Sequence, residues 1–448
     1  MGLPTATVHA QASDALSLTL PQARSLAAEA LRDGELILAR DIAMGLVQAN
    51  PKDAYAYSVL TAVYRVLGDP KLSRAAARLH YKYAQNQEEK FHAAHVAGQV
   101  AFDQERLSTA QIWLRRAALH AQTPQQDAQL ARDYRAVRRK NPFRISISAS
   151  VTPSDNVNNG ASSAVETVNG APTFAILAPG SLALSGTVAT LNAQASYRLN
   201  RTQTSQSTIG ARFYTRQVRL SDEAREQDPT RSNNDFGVTY VDASFDYAFA
   251  LGKPGNSAGV RVAAGRVWAA DSVAYDLTQM SLRRGLLLSP KDRLSLEALG
   301  EFRNSARSSD TDATVLRLTT TYRRAFENSD RASLAFRVED VVSDARNASF
   351  GSWSVRAGYD FGKQLGPVRI STGVTFGNTN YDTFERIGPV PGGRQDETFG
   401  ADLTILFPNL DYAGFAPSMN VRATRTTSNV SRYSTEELSV GFGIQSKF

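Results

Sequence analysis

Residues able to do chemistry are few in this chain, and their types restrict what they could do. Glu297 and Glu301 recur four apart with Arg303 beside them. On a strand all three share one face, so a carboxylate pair suited to acid–base work is conceivable there. The competing reading is a solvated, charged lumen wall, because Arg212, Arg317, Arg337, Glu339 and Arg356 fall toward the same interior. All five histidines, His9, His80, His92, His95 and His120, precede residue 141, and there is no cysteine. A protease or lipase using a histidine base in the C-terminal part would have none to use. His92 and His95, three apart on a helix, could share a metal, but no matching ligand cluster accompanies them. Asp155, Asn156, Asn158 and Asn159 fit either a calcium loop or a plain turn-rich loop. No phosphate-binding glycine loop is present. The expectation is a protein that is not an enzyme, with no catalytic residue, metal or cofactor.

The elements that would position these residues are strands. At the C-terminus, Leu438, Val440, Phe442 and Ile444 alternate with Ser439, Gly441, Gly443 and Gln445, and the sequence stops at Phe448. One apolar and one small or polar face suits a sheet with lipid on one side and water on the other. The same period of two opens at Phe143, Ile145, Ile147, Ala149 and Val151, and twelve further candidate segments lie between these two. They are at about 187–199, 205–216, 236–250, 257–268, 275–287, 291–304, 312–325, 331–342, 350–361, 367–378, 395–407 and 416–426. Most are long enough to cross a bilayer at a tilt. Short turns near 201, 253, 289, 328 and 364 alternate with longer polar loops such as 152–186, 217–235 and 379–394. That asymmetry predicts a 14-stranded antiparallel transmembrane β-barrel rather than a soluble sandwich or propeller. An even strand number puts both barrel termini on the short-turn side, expected to be the periplasm.

From about Pro21 to Lys140 the apolar period is helical, as in Ala23, Leu26, Ala27, Ala30 and Leu31. Gly34 and Gly68 are 34 residues apart, and Gly34 is followed by Ala39 at five and Pro51 at seventeen. This pattern looks like a tetratricopeptide repeat: glycine permits the turn, a small residue lets helices approach, and proline ends the second helix. The match loosens after Asp69-Pro70, and about three repeats are expected, the last divergent. Their concave face would bind peptides or partner proteins, with Tyr55, Tyr64 and Tyr81 as candidate groove residues and core packing as the alternative for each. The domain division is therefore 1–20 as a residual signal or disordered segment, 21–140 as a periplasmic helical domain and 141–448 as the barrel. Val8-His9-Ala10 before Gln11-Ala12 resembles a signal cleavage site without the regions that should precede it.

Composition agrees with an envelope protein. Hydrophobic residues make up 42% of the 448, the mean hydropathy is −0.31, and no stretch is apolar enough for a membrane-spanning helix. Alternating strands average to such a value. Absence of cysteine suits a chain that crosses an oxidising compartment. The net charge of +7 is spread along the chain, so nucleic-acid binding is not expected.

Helical repeats joined through Asn141-Pro142-Phe143 to a strand and then Thr152-Pro153-Ser154-Asp155-Asn156-Val157-Asn158-Asn159-Gly160 resemble the surface lipoprotein assembly modifier (Slam) family. The resemblance implies a Gram-negative outer-membrane barrel with periplasmic repeats that moves lipoproteins or related effector proteins to the cell surface. It implies outer-membrane lipid and a client protein as partners, with barrel-assembly machinery as a further one, and identifies no catalytic residue. Phe143 departs from an expected tryptophan, which leaves the client open. An exopolysaccharide exporter and a passive porin are the alternatives.

Overall fold

The computed structural model describes residues 18–308, 311–386, 388–410 and 415–446. The division between two compact units falls between Asn141 and Pro142. Phe448 and the cleavage-like segment at 8–12 lie outside the described residues.

In the first unit seven helices run α1 (Leu20–Arg32), α2 (Leu36–Ala49), α3 (Ala54–Val66), α4 (Pro70–Tyr83), α5 (Gln87–Asp103), α6 (Leu107–Ala118) and α7 (Pro124–Lys140). Their starts are written in the sequence. Asp53, Asp69, Asn86 and Thr123 accept backbone N–H bonds in the following first turns, and Pro70 and Pro124 occupy first-turn positions where a missing N–H costs nothing. Gly34 and Gly68 turn the first two helix pairs with φ of 81° and 75°. The third pair turns at Glu105, with φ 56°. A side chain there carries a left-handed penalty that glycine avoids, and this is why the third repeat is hard to see in the sequence. The core is built on Ala27, Ala30, Ala39, Ala43 and Ala76, packed with Tyr57, Leu60 and Val63. Small residues at these positions let the helices approach closely.

The second unit is a closed barrel of fourteen antiparallel strands, each paired with its neighbour in sequence. They are β1 (Phe143–Ser154), β4 (Gly186–Arg201), β5 (Ser205–Leu220), β6 (Val238–Ala250), β7 (Ser257–Ala269), β8 (Ser272–Leu287) and β9 (Asp292–Ser305). The remainder are β10 (Ala313–Ala325), β11 (Arg331–Ser343), β12 (Phe350–Asp360), β13 (Arg369–Tyr381), β14 (Arg394–Leu406), β15 (Phe415–Ser428) and β16 (Thr435–Ser446). β1 closes the ring between β4 and β16. On the outside stand Leu318 and Phe442, each 61% exposed, with Leu334, Phe336, Trp353, Val374, Phe399 and Ile444. Monomeric soluble proteins rarely leave so many large apolar side chains to water, and a hydrocarbon surround satisfies them. No described helix is long and apolar enough to cross a membrane.

The two ends of the barrel differ. Short connections such as 202–204 and 288–291 join strands at the end where β1 begins, and the opposite end carries 155–185, 221–237 and 382–393. That second end also holds the tightest link, the two-residue turn Ala270–Asp271, with φ of 50° and 61°. The segment after β1 is structured where a plain loop was expected: β2 (Val165–Val168) and β3 (Ala171–Ile176) form a hairpin. Its turn is Asn169-Gly170, with φ of 51° and 80°, the strongest short-range hairpin signal a sequence can carry.

Candidate functional site

The interior of the barrel is set by strand parity. Because side chains alternate, every strand that shows lipid an apolar row turns its other row inward. That parity puts Arg212 on β5, Glu297, Glu301 and Arg303 on β9, Arg317 on β10, Arg337 and Glu339 on β11, and Arg356 on β12 all on the inner face. Several meet. Arg317 and Glu339 are cross-strand partners and form an ion pair. Arg303 and Gln279 both bond the Glu301 carboxylate, and Arg356 reaches across two strands to Asp402. Arg212 lies over the Tyr240 ring at 5.4 Å, while its Nε has no hydrogen-bond partner among the described residues.

Glu297 and Glu301 do not form a catalytic pair in this arrangement. Four residues along a strand separate them by about 13 Å, and Glu301 is held by its two bonds. What the wall offers is water, charge and hydrogen-bonding groups. Further inward groups escaped the sequence reading. Asp242 pairs with Arg261 at 3.4 Å, and Arg394 pairs with Asp396 while lying over the rings of Tyr381, Phe384 and Tyr433. Strand parity alone would have found the first pair. The second depends on loops meeting in space.

The long-loop end is covered. Val157 and Leu184, from the chain between β1 and β4, pack with Val218 and Leu220 of β5 and with Ala224 of the short helix α8 (Asp222–Gln227). Across the mouth Val168 joins Phe384, Val390, Val430 and Tyr433. The hairpin is fixed there by Glu166, 0% exposed, which takes the Arg386 guanidinium at 2.7 Å, and by Asn169, which bonds Pro391 O and Asn429. Two of the three asparagines at 156, 158 and 159 are spent on backbone. Asn156 bonds Gly160 N, Gly160 O and Glu436 O, Asn158 bonds Leu182 O and Leu184 N, and Asp155 accepts from Leu438 N. They staple the cap to the first and last strands. Beneath it lies a cavity of about 540 Å³, whose lining includes Thr190, Tyr214, Arg216, Asp402, Arg422 and Glu437.

In the helical unit Tyr55 donates to Arg24 O at 2.9 Å and carries the Arg24 guanidinium on its ring. Tyr64 packs on the core. Tyr81 belongs to α4 and faces α6, bonding His120 at 2.9 Å and standing edge-on to Trp113. Each of the three thus makes contacts within the helical unit itself. His95 bonds Asp133 at 2.7 Å, and among the described residues no cluster of three ligands could hold a metal. Burial lowers His80 to about 4, and its Nδ1 has no hydrogen-bond partner among the described residues.

A closed antiparallel barrel with an even number of strands, an apolar exterior and a charged interior defines the outer-membrane β-barrel fold. No family model matches the chain, and no curated protein matches it. Among solved structures, the helical part is similar to the type III secretion translocator chaperone SycD of Yersinia enterocolitica: 18% identity, 27% of this chain and 84% of that one, TM-score 0.25. The barrel is similar to a loop-deletion mutant of OmpT, an outer-membrane protein of Vibrio cholerae, with 8% identity over 68% of this chain and 99% of that one, TM-score 0.35. It is also similar to a Pseudomonas aeruginosa FadL homologue, with 10% identity over 68% and 91% of the two chains, TM-score 0.35. At these scores none of them carries a function over to this chain.

Proposed function

We propose that this protein is an outer-membrane translocon that moves lipoproteins or related effector proteins from the periplasm to the cell surface, as the Slam family does. The short-turn end faces the periplasm in this reading, so the helical repeats meet the client there and pass it to the lumen. The observation that carries the proposal is the interior: a polar, charged wall joined in one chain to helical repeats, with its far end covered by an anchored hairpin. A passive porin needs neither the repeats nor the cover. An exporter of charged polysaccharide would call for free cations along the route, whereas Arg261, Arg303, Arg317 and Arg356 on this wall are each held by a carboxylate. Outer-membrane lipid surrounds the barrel, and the barrel-assembly machinery is a further partner. The movement needs no catalytic step in the barrel and becomes one-way when the client folds or binds outside.

Protease shaving of intact cells with mass spectrometry, comparing a deletion strain with its complemented counterpart, tests this. One or a few surface proteins should disappear from the shaved fraction and persist in the periplasm. An unchanged surface proteome overturns the proposal, and loss of surface sugar in its place favours the exporter.

A further inference from the structure

The inward arginines at the short-turn end are unlike those above them. Arg144, Arg293, Arg323, Arg331 and Arg369 each lie within three residues of a strand terminus at that end. None has an ion-pair or hydrogen-bond partner among the described residues. Arg293 and Arg323 are directly opposite in register, an arrangement that is destabilising by itself. Three carboxylates face the same end. Asp246 is taken by Arg283, Asp360 stands opposite Arg331 in register, and Glu297 stands opposite Arg283. Higher in the barrel Arg261, Arg303, Arg317, Arg356 and Arg394 are each bonded to a carboxylate, while Arg212 and Arg337 have no carboxylate partner among the described residues.

We propose that this rim is an entry site for a carboxylate-rich segment of polypeptide. Arginine suits the task because its planar fork matches a carboxylate and its charge persists at any relevant pH. A rim with an excess of one sign, bounded by low-dielectric walls, focuses the field and concentrates the opposite charge at the mouth. Five of the inward arginines without a carboxylate partner lie at the mouth, against Arg212 and Arg337 farther in, and this concentration at one end fits a local acidic run in a protein. A polyuronate would call for free cations along the whole route, and most of the arginines farther in are already held by carboxylates. Unpaired, like-charged neighbours do nothing for the stability of the rim, so a function in binding accounts for their presence.

The inference rests on the translocon reading, and its test is independent of the surface proteome. Full-length protein in detergent is titrated against fluorescent deca-glutamate, deca-lysine and an oligo-uronate of similar charge, with anisotropy as the readout. Deca-glutamate should bind, and its affinity should fall about tenfold or more between about 50 and about 300 mM salt. Deca-lysine should not bind. Replacement Arg→Gln at all five positions should weaken deca-glutamate at least about tenfold, and replacement Arg→Lys at the same positions should retain most of the binding. Heat-modifiable migration on gels verifies that each barrel is folded. If the Arg→Gln protein is folded and binds as before, or the wild-type affinity does not change with salt, the proposal is wrong. Equal or tighter binding of the oligo-uronate, lost in the same variant, overturns the polypeptide assignment and moves the rim to the exporter reading. A failure here alongside a changed surface proteome removes this entry site and leaves the translocon standing.

Discussion

Acidification should unfold the helical repeats before it affects the barrel, and His80 is the reason. The residue is 9% exposed on α4, and burial holds its imidazole at about 4 against an ordinary 6.5. The folded helices therefore favour the neutral ring, and the unfolded chain takes the proton first as pH falls. The stability involved is whole above pH 6.5 and is lost progressively down to about 4. Two and a half units correspond to about 3 kcal/mol, a large part of what a domain of this size has in reserve. The assay is urea unfolding of the full chain in detergent, followed by circular dichroism at a wavelength dominated by helix, at pH 7.5 and pH 4.5. A loss of roughly 2–3 kcal/mol lowers the urea midpoint by about 1–2 M. Carboxylates also titrate in this window, so the comparison with His80→Leu isolates the histidine. The variant keeps an apolar filling and should show a pH-dependent drop smaller by most of that amount. An identical drop in wild type and variant refutes the assignment.

Three further outcomes are expected. Glu166→Gln leaves Arg386 facing an uncharged partner in a buried site, so the hairpin should become a site of rapid proteolysis in intact cells and channel openings in planar bilayers should become more frequent. Glu105→Gly relieves a left-handed φ of 56° and should raise the stability of the helical unit by about 0.5–1 kcal/mol, measured as an upward shift in the helix melting temperature. Leu318→Arg puts a cation on the lipid face of β10 and should cost about 2–4 kcal/mol if the position lies near the bilayer midplane. The adjacent inward Thr319→Arg should be tolerated, so equal losses of heat-modifiable barrel for the two would contradict the parity.

Much of the fold is legible in the sequence because period two is a strong signal when one face meets lipid. Each of the fourteen expected strands overlaps an observed barrel strand, within a few residues at most of their ends. The inward positions follow from the same parity, which is why Arg317 and Glu339 are found on one wall. What escaped was of two kinds. The β2–β3 hairpin had a readable sign in Asn169-Gly170, passed over inside a stretch that reads as polar loop. The Glu166–Arg386 pair and the aromatic surround of Arg394 join residues far apart in sequence, and no local pattern announces contacts of that range. Tyr81 shows a related limit. Helical period gives a face, but the neighbour on that face, α6 rather than an open groove, is decided by how the helices stack.

The central claim is that a polypeptide passes through the lumen, and site-specific photo-crosslinking in living cells tests it most directly. A photoreactive amino acid is placed at Thr319, inward on β10, and separately at Leu318, outward on the same strand. The account predicts that an exported polypeptide is trapped at position 319 and not at 318. Capture at 318 alone, or at neither while the surface proteome still depends on the protein, would contradict transport through the barrel.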